Sequence, residues 1–140
     1  MNSILYNIFK SEVMKANIDL VNDTIKVALL TSSYTPNIDS HENFDDITNE
    51  VTGTNYTAGG KELTNKTVTV DNTDNEGILD ADDTSWEVST ITARYAVIYK
   101  DTGVSSTSKL IGYIDFGTDK VSSIGSFKIE WAEEGIINLG

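Results

Sequence analysis

The N-terminal region carries an apolar pattern with helical spacing. Its apolar residues recur at the i, i+4 spacing that lines one face of a helix: Ile4, Leu5, Ile8, Phe9 and Val13. This pattern predicts one amphipathic helix over residues 3–16, with Ser3 as a candidate N-cap. An apolar stripe of this kind indicates packing against the body of the domain, and docking on a partner is the alternative.

From residue 25 onward, apolar and polar positions alternate, as in half-buried strands. The alternation predicts strands at Ile25–Leu30, Thr67–Asp71, 91–100, 110–116, 127–131 and 137–139, with a seventh at 77–81 and a short edge piece at 86–88. Val68, Val70 and Trp131 are predicted to point into the core. Turn-forming residues separate the strands at 72–77, 101–103, 117–120 and 133–135. Many short strands predict a mainly β fold, an antiparallel β-sandwich or jelly roll, and a barrel fits the same periodicity.

The segment 31–60 lacks this regular alternation. It contains the single proline, Pro36, the single histidine, His41, a candidate short helix at 41–47 and a Gly-rich turn at 58–60. Long irregular excursions often carry binding surfaces, and this one is expected over an end or edge of the sandwich. No change in composition divides the chain, so residues 1–140 are predicted to form a single domain.

The charge of the chain argues against two classes of partner. Ten Lys and Arg stand against 22 Asp and Glu, which gives a formal net charge of −12. Nucleic acid and anionic membrane surfaces bind cationic side chains, so neither is an expected partner. The first residues lack the features of a secretion signal, so synthesis in the cytoplasm is expected. There is no cysteine, which excludes disulfides and thiolate metal sites.

Candidate catalytic residues are sparse. His41 is the only imidazole, so a Ser–His–Asp arrangement would have to include it, yet no Gly-x-Ser-x-Gly motif is present. Glycoside hydrolysis needs two carboxyl groups across a cleft, and among 22 acidic residues such pairs arise by chance. The sequence therefore predicts no enzyme, no catalytic residue and no cofactor.

Residues 72–83 have part of a calcium-loop pattern. Oxygen-bearing side chains occupy the first, third, fifth, ninth and twelfth positions, and Gly77 occupies the sixth. The twelfth position is Asp83 instead of Glu, and the flanks are predicted strands. An acidic β-turn is therefore the preferred interpretation, and no metal ligand is predicted.

Aromatic residues of the irregular segment offer a different function. Tyr34 and Tyr56 lie in the irregular segment, where aromatic rings could stack on sugars. A tail- or fibre-associated module that recognises host surface glycans is therefore the alternative to the function considered next.

Several runs of the sequence resemble a family of small structural proteins of tailed bacteriophages. The runs that carry the resemblance are IKVALLTSSYTP (25–36), DITNEV (46–51), YTAGG (56–60), LTNKTV (63–68), DADDTSW (80–86), TARYAVIYK (92–100) and LIGYIDF (110–116). Together they cover most of the chain.

The resemblance implies a virion component present in many copies. Within such a family, a small acidic β-sandwich fits a decoration or cement protein on the outside of the capsid. Its implied partners are the major capsid protein and further copies of itself, with a trimer as one closed form. No catalytic, cofactor or metal residue is transferred by the resemblance.

Overall fold

The computed structural model describes residues 3–140. It contains eight strands and one α-helix: β1 (Ile4–Leu5), α1 (Asn7–Met14), β2 (Ile25–Leu30), β3 (Lys61–Glu62), β4 (Thr67–Asp71), β5 (Glu76–Asp80), β6 (Thr84–Lys100), β7 (Leu110–Ile129) and β8 (Ile137–Leu139). Within this range, no helix has the length and apolar character needed to cross a bilayer.

The strands form two antiparallel sheets, as the alternation predicted. One sheet has five strands in the order β1-β7-β6-β2-β3, and the other has three in the order β4-β5-β8. Their shared interior, here called the inner cluster, includes Val27 of β2, Ile98 of β6 and Leu79 of β5, with Phe9 of α1. The fold is therefore mainly β and consistent with a β-sandwich.

A second group of buried side chains covers the opposite face of the five-stranded sheet. This outer cluster contains Tyr6, Ala28, Leu30, Tyr34, Val97, Tyr99 and Leu110. Side chains of β2 alternate between the two clusters, with Leu29 in the inner one and Leu30 in the outer one. Because the central strands are buried on both faces, they read as nearly continuous apolar runs.

The irregular segment 31–60 supplies the outer cover. Phe44 stacks on Tyr99 with ring centroids 4.3 Å apart, and Tyr34 is buried in the outer cluster. Later in the segment, Val51 donates its backbone N–H to Leu29, which places that part along the edge of β2. The segment was expected over an end or edge of the sandwich. That expectation is incomplete, because the first half of the segment lies over a face of the five-stranded sheet. The candidate helix at 41–47 is a single 3₁₀ turn, Phe44–Asp46.

The predicted helix over residues 3–16 is wrong at its ends. Ile4 and Leu5 pair with Tyr113 and Gly112, and Tyr6 remains extended, so α1 begins only at Asn7. Ser3 is not its N-cap, because the Ser3 hydroxyl donates to the Ile136 carbonyl at 2.5 Å. Pairing in the sheet satisfies the backbone N–H and C=O groups of residues 4 and 5 as well as a further helical turn would. The spacing of apolar residues alone does not distinguish a helix from a strand over so short a stretch.

The predicted turn at 117–120 is also wrong. In β7 the pairing with β6 moves from Asp115 opposite Tyr95 to Lys120 opposite Ala93. The intervening residues bulge outward, with Gly117 at φ 80°, and the chain continues in the same direction. The predicted strands 110–116 and 127–131 therefore belong largely to one strand, and 86–88 joins 91–100 in β6.

The predicted core positions of Val68 and Val70 are wrong, and that of Trp131 holds only in part. Val68 and Val70 of β4 are 49% and 76% exposed, because β4 is an edge strand and its predicted inward face is left open. Trp131 lies just after β7, half-buried against the inner cluster, and its indole N–H donates to the Asp82 carbonyl at 2.9 Å.

Candidate functional site

The single histidine belongs to a hydrogen-bonded chain under the irregular segment. The Tyr34 hydroxyl lies 2.8 Å from the Tyr6 hydroxyl and 2.8 Å from His41 Nδ1. Burial raises the pKa of Tyr6 and of Tyr34, so both phenols stay protonated at neutral pH. The bonds of this chain hold the cover on the sheet, and His41 contacts a tyrosine instead of a serine nucleophile.

The two tyrosines considered for sugar stacking have little free surface. Tyr34 is 2% exposed. The Tyr56 hydroxyl donates to Glu50 Oε2 at 2.5 Å and accepts the Leu29 backbone N–H at 3.0 Å. The geometry gives a glycan platform on this pair no support, because both rings serve packing and local hydrogen bonds.

A polar cleft of about 300 Å³ lies between the irregular segment and the β6–β7 connection. In it, Lys26 Nζ lies 2.7 Å from Asp101 Oδ2, and this hydrogen bond holds the pKa of Asp101 below its usual range. Glu50 Oε2 accepts both the Tyr56 hydroxyl and the Gly59 backbone N–H. The charged groups of the cleft thus neutralise or bond one another, which stabilises the loops around it.

Residues 72–83 do not form one continuous loop. Residues 76–80 are strand β5, and the carboxylates at the ninth and twelfth positions accept backbone N–H groups: Asp80 from Ala81, and Asp83 from Trp131. The carboxylates at the third and fifth positions, Asp74 and Glu76, lie at the β4–β5 turn with Asp71, where oxygens of the three residues come within 4.8 Å of one another. We assign no ion to this surface turn, since acidic turns often cluster without one.

A feature that the sequence did not reveal lies on the long β6–β7 hairpin. Three exposed apolar side chains, here called the hairpin strip, are Val88, Val121 and Ile124, at 58%, 64% and 79% exposure. They lie in the half of the hairpin where residues 84–93 pair with 120–129. Isolated exposed valines are ordinary, whereas several exposed apolar side chains on one short stretch make it a candidate contact surface.

Two adjacent bulges shape this stretch. Between the pairs Trp86–Phe127 and Ser89–Gly125, β6 has two residues where β7 has one. In the next interval, up to the pair Ile91–Ser122, β7 has the extra residue. Bulges in both strands restore the register and turn Val88 and Ile124 outward.

Both outward residues have a strained backbone. Val88 has φ 48° and Ile124 has φ 47°. Of the seven residues other than glycine with positive φ in the described chain, four are Asn, which tolerates this region, and only these two are β-branched. In this left-handed region the branched side chain clashes with the backbone, and Asn or Gly adopts the conformation at lower energy. The chain therefore keeps apolar side chains at positions where packing and backbone preference do not favour them.

Buried polar groups hold the bulges in place. The Ser89 hydroxyl lies 2.8 Å from the Ser122 hydroxyl, and Ser122 Oγ accepts the Ile91 backbone N–H at 3.1 Å. From outside, the Asn55 side chain donates to the Val88 carbonyl at 2.8 Å. The strip is thus presented by a fixed backbone, as a preorganised interface requires.

Charged residues occupy the same half of the hairpin as the strip. Lys128 lies 3.7 Å from both Asp83 and Glu130, and the Lys120 ammonium lies over the Phe127 ring, 5.5 Å from its centroid.

A weak sequence signal for the strip exists. Trp86 and Ile91 are both buried although they are five residues apart, and so are Phe127 and Ser122 on the partner strand. Odd separations break the period of two and therefore indicate a bulge between the residues.

No family model matches this chain, and no curated protein or solved structure matches it either. Its function is therefore argued from the geometry described above and from the sequence resemblance.

Proposed function

We propose that this protein is a non-catalytic structural component of a bacteriophage particle, which decorates the outer surface of the capsid by binding the major capsid protein. The observation that carries the protein-binding part is the hairpin strip, three exposed apolar side chains on a bulged and rigid hairpin. The assignment to a virion rests on the resemblance to tailed-phage structural proteins.

The strip suits a protein partner better than a small ligand. Its side chains are exposed on a pair of strands, and none of them lines any of the three clefts of about 220, 300 and 410 Å³ in the described chain, whereas small-molecule sites are concave. Covering them would remove apolar surface from water, which drives most protein association. Because the buried serines and Asn55 fix the backbone, little conformational entropy is lost on binding.

The charge fits a position on the outside of a shell. At −12, the chain is repelled by the packaged genome, so it would not compete with internal contacts to nucleic acid. A protein that binds the assembled lattice but not free subunits makes disassembly less favourable by mass action. Several copies on one shell would place the protein close to others of its kind, so we include homo-oligomer formation in the proposal.

Imaging of purified particles tests the assignment to the virion. We expect density for this fold on the outer face of the shell. Density in the tail alone, or absence of the protein from particles, would remove the proposal.

Binding to purified shells tests the strip. Ile124→Asp places a charge at the most exposed residue of the strip, and we expect it to abolish co-sedimentation with shells that lack the wild-type protein. Val104→Asp is the matched control, since Val104 is 55% exposed in the β6–β7 connection outside the strip, and it should bind normally. Equal binding by both variants would show that the strip is not the contact.

A further inference from the structure

The sheet edges of this fold are protected unequally. β1 and β3 have two residues each, and β3 consists of Lys61 and Glu62, while β8 has three residues. Among the four terminal strands of the two sheets, β4 is the exception, with five residues and no charge before Asp71. Short or charged edges resist pairing with another chain, and a longer uncharged edge invites it.

The free side of β4 is open to such pairing. Residues 67–70 are exposed, and no backbone group of β4 bonds outside the β4–β5 ladder in the described chain. The strand is rich in Thr and Val, which favour extended pairing. An added strand would meet unpaired N–H and C=O groups along its length.

An apolar groove lies beside the same strand. It has a volume of about 410 Å³ and is lined by Val13, Ile18, Leu20, Val21 and Val68, among others. Val70, 76% exposed, is not among the residues that line this groove. β4 thus presents both a groove and an apolar side chain able to cover it.

We propose that two copies of this chain pair antiparallel through β4, with Thr69 on the twofold axis, to form one continuous six-stranded sheet. In this register Val68 of each copy lies opposite Val70 of the other, with Cβ atoms about 4.5–5.5 Å apart. Val70 of one copy then lies at the groove beside Val68 of its partner. The contact is self-complementary, as a twofold interface requires.

The register also limits charge repulsion between two anionic chains. Asp71 lies opposite Thr67 of the partner, so the two Asp71 carboxylates are four residues apart along the strands, about 14 Å. That separation exceeds the Debye length of about 8 Å at physiological ionic strength. The remaining net charge of −12 on each copy still opposes pairing at low ionic strength. The dimer is therefore expected to strengthen as salt is added, the opposite of an interaction with a cationic partner.

Mass measurement tests the dimer. Light scattering after size exclusion, from micromolar to near-millimolar protein, should show the mass rise from 15.3 kDa toward twice that value, and more completely at high NaCl. Val70→Lys should return the mass to the monomer, and its Tm should equal that of the wild type at concentrations low enough for the wild type to be monomeric. Val104→Lys, at another exposed valine, should leave the dimer intact. A monomer under all conditions, a trimer, or a dimer that survives Val70→Lys would overturn the proposal.

Cross-linking tests the register. Because the chain has no cysteine, a single introduced cysteine can form a disulfide only between copies. Thr69→Cys should cross-link readily under mild oxidation, since residue 69 faces its own counterpart. Thr67→Cys, on the same strand, would lie about 14 Å from its counterpart and should not, because disulfides require Cα atoms within about 7 Å. Equal cross-linking at both positions would contradict the register. The inference does not depend on the capsid proposal, because every measurement uses the isolated protein.

Discussion

Replacing Ile124 with Asn should make the protein more stable while removing an apolar side chain from the hairpin strip. Ile124 has φ 47°, a left-handed conformation that costs an L-residue roughly 1–2 kcal/mol and that Asn adopts routinely. The Ile124 side chain is 79% exposed, so little packing is lost on substitution. If burying a whole side chain of this size contributes about 2–3 kcal/mol, the part lost here is about 0.5 kcal/mol.

The balance favours the Asn variant by about 1 kcal/mol. With an unfolding entropy of about 2.1 cal/mol/K per residue, a chain of 140 residues gains roughly 3 °C in Tm for each 1 kcal/mol. Thermal unfolding followed by circular dichroism or calorimetry resolves a change of this size. The same variant should bind capsid shells more weakly. Higher stability together with weaker binding would show that Ile124 lowers the stability of the fold but contributes to the contact.

Val121→Asn is the matched control. Val121 is 64% exposed in the same hairpin, but its φ is not positive, so substitution relieves no strain there. We expect its Tm to be unchanged or slightly lower, since Asn is unfavourable in strands. If Ile124→Asn lowers Tm as Val121→Asn does, the backbone at 124 is not strained and the reasoning about the strip fails.

Three further predictions concern the buried polar groups. Ser122→Ala should cost about 1–3 kcal/mol in urea unfolding, because the buried Ile91 N–H loses its acceptor, and a value near zero would show that the N–H finds another. Tyr34→Phe should cost a similar amount by the same assay, because the fully buried Tyr6 hydroxyl loses its partner, and unchanged stability would contradict a structural role for this bond. Alkaline pH should also unfold the protein: burial raises the pKa of Tyr6 and Tyr56 above the ordinary value of 10.0, so their contribution is complete below pH 10 and declines as the pH rises further. Tyrosinate absorbance that develops together with loss of circular dichroism would agree, and free ionisation without unfolding would not.

Elements with a clear period were predictable, and elements that depend on pairing were not. Ile25–Leu30 and Thr67–Asp71 have the predicted bounds, because alternation and flanking turn residues both define them. The turn predicted at 117–120 failed because Gly117 also suits a bulge, and only the partner strand decides between the two.

In the candidate site, too, the features that depend on pairing between distant strands were not predictable from the sequence. Val88 belonged to the predicted edge piece at 86–88, and Ile124 lay between the predicted strands 110–116 and 127–131. The odd spacing of apolar residues nearby was the only indication of a bulge there. Tyr34 and Tyr56 looked accessible because their segment is irregular, yet this segment folds over the sheet and encloses Tyr34.

The sequence by itself determined the chemical class of the protein: a mainly β, cysteine-free, strongly anionic chain whose central strands are apolar on both faces. These properties follow from residue types and from spacing along the chain, which are local. The tertiary structure decided what covers those faces, which edge remains open and which apolar side chains reach solvent. Each of these depends on contacts between residues far apart in sequence, and alternation along one strand does not encode its partner.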